Sequence, residues 1–452
     1  MEPKYLMGQA HWQRQNQQWR GQSSTQGLNP RPSVLALSPR KYDYVFRRLV
    51  VDRKQLKQPL PLTDVIPMLV YGWKKTGVWP TDQPTTDAED SNKRSVVCVE
   101  FFSGIGGLHY GLLQSGIDGK VAMSFDMNEL ANAVYEHNFH MRPNNKAIDY
   151  LKAQDIDKHN ADCWLLSPPC QPYTRGGNYR DTDDPRARGL LHLIDLLPQL
   201  ENKPSYLLLE NVMNFENSQS RNLLVQTLGE LGYEIFECLL SPVQFGIPNS
   251  RLRYYLAARR SWPKVGESDI ALNDKERTEA YLARGRDVVF TEWPFAHAVN
   301  TAPKAEIVNT PLQSYIDSAN DSVEALKVPK SHILKRKRYQ FDIVKPTSDK
   351  TSTFTKAYGS SHLIGSGPLL QTKNLDIVED GFGSPEKLLD LGLRFFSPNE
   401  VAKLQHFPTD KQAKHVLEFP ANITQRQRLQ LLGNSLNPYV VAQILEHILF
   451  TG

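Results

Sequence analysis

Cys170 stands in LLSPPCQPY (165–173), directly after two prolines that close a run of apolar residues. Proline rings fix φ, so the thiol is held at the C-terminal end of an expected strand, the rim where α/β sheets take their ligands. A thiol placed there can act as a nucleophile. Glu210 follows three leucines in YLLLENV (206–212), which carry an acid to the tip of the next strand. That position suits proton transfer better than a solvated surface, the alternative being a cap on the following helix. Arg251 and Arg253, in NSRLRYYL (249–256), alternate at a strand start and so share a side. Two guanidiniums there can hold a phosphate, orient a base or form ordinary surface ion pairs.

A ligand site is indicated ahead of these residues. EFFSGIGGLHYGL (100–112) is a glycine-rich turn between a strand and a helix, where missing side chains let a ligand approach the backbone. The dinucleotide fingerprint G-x-G-x-x-G fails at His109, which disfavours a pyrophosphate and suits a cofactor without phosphates. The second strand ends at Asp126, placed to accept hydrogen bonds from ribose hydroxyls. Asp155 and Ile156, expected near the third strand's end, offer an acceptor and an apolar surface for an adenine ring. The plainer reading of the turn and the acid is a loop with a helix cap.

The elements that must position these groups are short β-branched and aromatic runs alternating with amphipathic stretches, the pattern of a parallel sheet with helical crossovers. Strands are expected at 96–102, 121–126, 163–167, 206–210 and 254–258, and helices at 129–138, 189–200 and 220–231. Residues 262–390 are more charged and lose the alternation, as a smaller appended domain would. The N-terminal 94 residues stand apart: 8–35 reads as disordered, 41–80 as two short helices, and 81–94 as a polar linker.

Composition narrows the class. The 452 residues are 40% hydrophobic, enough for a full α/β core and further segments. No stretch approaches the roughly 18 consecutive apolar residues of a membrane span, and no secretory signal is apparent, so an intracellular home is expected. The four cysteines lack zinc-site spacing; Cys98, Cys163 and Cys238 fall inside strands and Cys170 does not. The net charge of +4 is uneven: residues 1–94 hold 15 basic against 8 acidic side chains, leaving the remainder at −3. Net charge alone therefore does not point to a nucleic acid.

PPCQ, ENV, R-x-R and LGNSLNP (432–438), in this order and spacing, resemble the cytosine-5 methyltransferase family, and the resemblance covers residues 95 to 450. SPPCQPYTR, LLENVMNFENSQSRNLL, LLSPVQFGIPNSRLRYYLAAR and FTKAYGS followed by GSGPLLQ are most similar to the tRNA-aspartate branch, of DNA methyltransferase homologue type. The resemblance implies a Rossmann-like α/β S-adenosylmethionine-dependent methyltransferase fold with a mixed, mostly parallel sheet, formed by 95–261 and 394–452. It also implies a small target-recognition domain at 262–393. Methyl transfer to carbon 5 of an anticodon-loop cytosine, cytosine 38 of tRNA-Asp, would follow, with Cys170 adding to carbon 6, Glu210 holding the ring nitrogen, and Arg251 and Arg253 orienting the base. Ile105, Gly106, Gly107, Asp126, Asp155, Ile156, Ser167 and Asn434 would surround S-adenosylmethionine, with no metal. The location implied is the cytoplasm and also the nucleus.

Two departures stand out. The branch carries Cys-Phe-Thr in the smaller domain, and here it reads Thr353-Phe354-Thr355. The N-terminal extension has no counterpart expected in the family; it weakly resembles a transit peptide, and a fused segment that binds a protein partner or an alternative transcript start is at least an equal reading. The basic run KRKRYQF (335–341) offers tRNA phosphate contacts, a nuclear import signal or a plain solvated face. A DNA methyltransferase, and a non-catalytic nucleic-acid-binding scaffold, are the competing readings. Intact Cys170, Glu210, Arg251 and Arg253 argue against the scaffold, and a short insert between the catalytic blocks argues against DNA.

Overall fold

The computed structural model describes residues 95–174, 179–260, 283, 285–293, 309–317 and 323–450. Expectations for residues 1–94 lie outside them. Residues 93–452 form one compact unit.

The centre of this unit is a seven-stranded sheet in the order β2-β1-β3-β4-β6-β5-β7. The strands are β1 (Val96–Phe101), β2 (Gly119–Phe125), β3 (Cys163–Leu166), β4 (Tyr206–Val212), β5 (Tyr233–Leu240), β6 (Arg253–Arg260) and β7 (Val289–Phe290). Strands β2, β1, β3 and β4 run parallel, whereas β6 runs antiparallel between β4 and β5. Helices α1 (Gly107–Gln114), α2 (Glu129–Phe139), α3 (Ala153–Asp157), α4 (Arg188–Leu196) and α5 (Gln219–Glu230) lie between them, and α6 (Pro398–Leu404), α7 (Gln425–Asn434) and α8 (Pro438–Ile444) close the chain. β5 is the strand in which Cys238 was expected to lie but for which no bounds were expected: YEIFECLL carries two glutamates, of which Glu234 is exposed and Glu237 is buried against Arg221.

Alternation along the central strands divides the core. Val99, Phe101, Trp164, Leu166, Leu207 and Leu209 share one cluster with α4 and α5. Cys98, Cys163, Leu165 and Leu208 share another with α1 and α8. The chain end thus returns to the first strand: a Cβ on Gly111 of α1 would lie 2.3 Å from Val441 of α8. A third cluster joins Leu312, Phe354, Tyr358, Leu370 and Phe396 to Ile105, Tyr110 and Leu432, so residues on both sides of position 393 share one core. Within this region β8 (Ile343–Val344) and β9 (Leu369–Leu370) pair in parallel.

β1 and β3 are neighbours, and the crossovers leaving them run to opposite sides, to β2 and to β4, so the loops beyond their tips part into a crevice. Phe101 is level with Phe125 and Leu166, and Leu166 with Leu209. No helix among the described residues is long and apolar enough to cross a membrane.

Candidate active site

A cleft of about 660 Å³ opens over these strand tips, and Cys170, Glu210, Arg251 and Arg253 all line it. Cys170 leads into a single 3-10 turn, Gln171–Tyr173, and its carbonyl accepts from Tyr173 N at 3.0 Å. The preceding turn is tied to β4, since Asn211 Nδ2 donates to Pro168 O at 3.2 Å. Glu210 is 8% exposed and Arg253 Nε lies 3.5 Å from its Oε1. The antiparallel course of β6 explains their meeting: Arg253 begins its strand level with Val212, at the end of β4. Arg251 is buried just ahead of β6. Its Nη1 donates to Phe354 O at 3.1 Å and its Nη2 to Ser435 O.

Burial sets the proton affinities here. It raises the Cys170 thiol, against which the Arg253 and Arg251 guanidiniums favour the thiolate and Glu210 opposes it. Burial also raises Glu210, outweighing the two arginines, so its carboxyl is inclined to keep a proton it can donate. Burial lowers Arg251 to about 9, with Arg253 adding to the effect, which leaves it charged at neutral pH.

The other end of the cleft is lined by Gly104, Ile105, Gly107, Asp126, Ser167 and Asn434. Asp126 Oδ2 accepts from Gly104 N at 2.8 Å and Oδ1 from Asn128 N at 2.8 Å, fixing the glycine turn to the tip of β2. Each oxygen keeps a further lone pair for a ligand. Ser167 Oγ donates to Phe102 O at 2.9 Å. Gly106 does not line the cleft. At φ +86 it caps α1, and a Cβ there would meet the Phe139 ring at 2.3 Å, so its bareness serves the packing of α2.

Asp155 and Ile156 are not brought to the cleft either, which corrects the expectation for them. They sit on α3, ahead of β3 and so at the entering end of that strand. Asp155 accepts from Lys146 Nζ at 2.7 Å and Lys152 N at 3.0 Å, while Ile156 is buried in the core. Ile148 and Asp149 line the cleft instead, because the chain leaving β2 bridges back to it at Phe125 and Asn144. Met127, 65% exposed beside Asp126, and Phe102, at φ 58, also line it. Met127 was legible as the neighbour of Asp126; Ile148 and Asp149 depend on a loop path that the sequence does not display.

A model of the family described as C-5 cytosine-specific DNA methylase matches residues 96–449. The chain belongs to this family. Within it, the chain is 35% identical over 390 residues to the tRNA (cytosine(38)-C(5))-methyltransferase of Homo sapiens, covering 77% of this chain and 97% of that one. It is 33% identical over 365 residues to the DNA (cytosine-5)-methyltransferase of Dictyostelium discoideum, covering 77% and 93%. The crystal structure of S. pombe Dnmt2 methyltransferase superimposes with a TM-score of 0.62 at 30% identity, covering 78% of this chain and 98% of that one. A second model, described as Gag1-like, clamp domain, matches residues 2–80. The assembled groups are a thiol, an acid inclined to hold a proton, and two cations, a set chemically able to perform nucleophilic addition coupled to proton transfer.

Proposed function

We propose that this protein is a tRNA cytosine-5 methyltransferase acting on cytosine 38 in the anticodon loop of tRNA-Asp, with S-adenosylmethionine as methyl donor. The observation that carries the reading is the convergence of Cys170, Glu210, Arg251 and Arg253 on one cleft that Asp126 and the glycine turn also line. The activities for which the tRNA-modifying relatives are named support the choice of substrate.

The cofactor end fits S-adenosylmethionine. Asp126 would accept from the ribose hydroxyls, Ile148 and Met127 would flank the adenine, Asp149 would accept from its amine, and Asn434 and Ser167 would close the pocket. When bound, the cofactor supplies an electrophilic methyl group. Cys170 releases its proton to solvent and adds through Sγ as the thiolate to carbon 6 of the cytosine while Glu210 gives its proton to the ring nitrogen, and the displaced electron pair makes carbon 5 nucleophilic. Arg251 and Arg253 stabilise the thiolate and orient the ring. After methylation a base removes the carbon 5 proton, the Sγ–C6 bond breaks by elimination, and Glu210 recovers its proton. An anticodon loop presents an unstacked base at lower cost than a duplex does.

Residues 262–393 would hold the tRNA. Lys335, Lys337 and Arg338 are exposed and make no ion pair among the described residues, which suits phosphate contacts. Residues 1–94 would bind a protein partner.

Methyl transfer from labelled S-adenosylmethionine to total tRNA and, in parallel, to duplex DNA tests the reading, with Cys170→Ala as control. Label on one tRNA at an anticodon-loop cytosine, lost in the variant, is the expected result. Label on DNA alone would move the protein to DNA methylation, and label on neither would leave a binding scaffold.

A further inference from the structure

The segment 351–355 is bound to the loop 248–251 by hydrogen bonds that take no part in the bond-making steps of methyl transfer. Ser250 N donates to Thr351 O at 2.8 Å and Thr351 N to Pro248 O at 2.9 Å. Thr351 Oγ1 donates to Pro248 O at 2.8 Å and accepts from Asn249 Nδ2 at 3.0 Å; the same amide donates to Ser352 O at 3.1 Å. Asn249 is wholly buried. Thr353 Oγ1 donates to Ser250 O at 2.7 Å, and the next residue on each side continues the ladder, since Arg251 Nη1 donates to Phe354 O.

Two neighbouring residues of one segment thus hold two neighbouring residues of the other, and the second of the held pair is Arg251. The remaining grip on its guanidinium is the Ser435 carbonyl, in the loop that follows α7. That helix is pressed on the same segment: a Cβ on Gly433 would lie 2.3 Å from the Thr355 carbonyl. The resemblance to the tRNA branch leads one to expect a cysteine at position 353. A threonine hydroxyl is the stronger donor, and Ser250 O is the acceptor it has found.

We propose that Thr353 is a positioning residue for the reaction, its hydroxyl locking the 248–251 loop to the 351–355 segment and so fixing the Arg251 guanidinium in the cleft beside Cys170. The proposal rests on the reading of Cys170 as the nucleophile. Loss of the bond lets the loop slide against the segment, and a displacement of an ångström at a group that stabilises the reacting thiolate is enough to slow the chemistry.

Thr353→Val removes the hydroxyl at nearly constant volume, and Thr353→Ser keeps it. In the full-length protein three quantities are measured: kcat and KM with tRNA, affinity for S-adenosylmethionine, and the pH profile of Cys170 alkylation by iodoacetamide, read by peptide mass. Cys98, Cys163 and Cys238 are at most 1% exposed, so alkylation reports on Cys170. Thr353→Val is expected to lower kcat roughly tenfold with KM and cofactor affinity nearly unchanged. It is also expected to raise the alkylation midpoint by about half a pH unit, because the cation moves away from Sγ. Thr353→Ser is expected to match the wild type in both.

A wild-type kcat and alkylation profile in Thr353→Val would overturn the proposal, as would equal losses in the Val and Ser variants. Should Thr353→Val fail to fold, Thr353→Cys, with its weaker donor, must fall between Ser and complete loss, and a wild-type kcat and Cys170 profile there would sink the idea. If the wild type methylates no tRNA while the midpoint still moves in Thr353→Val alone, the substrate reading fails and the positioning role stands.

Discussion

Cys170 is held between opposing influences: burial and Glu210 favour the neutral thiol, and Arg253 and Arg251 favour the thiolate. The net direction is upward, so the resting protein keeps most of its nucleophile protonated and reactivity depends on where the two cations sit. At the end of the cleft proposed for the cofactor, Asp149 lines the wall and Asp155 does not. Asp149→Ala is expected to weaken S-adenosylmethionine binding about tenfold, the loss of one hydrogen bond to a charged acceptor, while Asp155→Ala leaves it unchanged. Calorimetric titration of both variants decides the matter, and the reverse order would restore the α3 assignment. Asp126→Ala should weaken binding at least as much, since Asp126 also holds Gly104 N.

At the scale of elements, the site depends on strands that end together and on one that begins where they end. β6 runs against β4, so its first residue, Arg253, reaches the same rim as the last residues of the parallel strands. Helix α7 has a comparable role at the cofactor end, carrying Asn434 into the cleft because Gly433 lets the Thr355 backbone approach. Gly433→Ala would place a methyl group 2.3 Å from that carbonyl, a clash with backbone that no side-chain rotation relieves. A loss of about 1–3 kcal/mol in stability is expected, together with a fall in methylation beyond the unfolded fraction, measured by thermal melts and kcat on the same samples. An unchanged melting temperature would show that the segment yields freely.

At the scale of the molecule, the sheet buries a charge-bearing group directly beneath the glycine turn. Glu100 in β1 is wholly buried, accepts from Tyr135 Oη at 2.8 Å, and is pushed up to about 8 by burial. Tyr135 is in turn 2.8 Å from His109 Nδ1, whose ring burial lowers to about 3. The folded state therefore holds a proton on Glu100 that the unfolded chain releases near its ordinary 4.5. Stability from this group is complete below about 4.5 and is lost as pH rises through about 8. Below about pH 6.5 the lowered His109 opposes this trend, so melting temperature should fall between about pH 6.5 and pH 8, and Glu100→Gln should flatten the fall. A slope equally steep in the variant would assign it to Glu210 and Asp126, which burial raises in the same sense.

The sequence by itself determined which reactive groups stand at the strand ends and most of their placement in one cleft. A cysteine after two prolines, an acid after three leucines, alternating arginines and a glycine turn are local statements, each written in consecutive residues and each bound to a strand end. The tertiary structure alone decided what depends on contacts between distant segments. The direction of β6 follows from its pairing with both β4 and β5. That Asp149 lines the cleft, and Asp155 does not, follows from a loop that turns back on Phe125. Gly106 is spared a side chain for the sake of Phe139, on the following helix. Position 353, where a cysteine was expected, acquires its meaning only when Ser250 lies opposite, because a hydroxyl has no role until the fold supplies its acceptor.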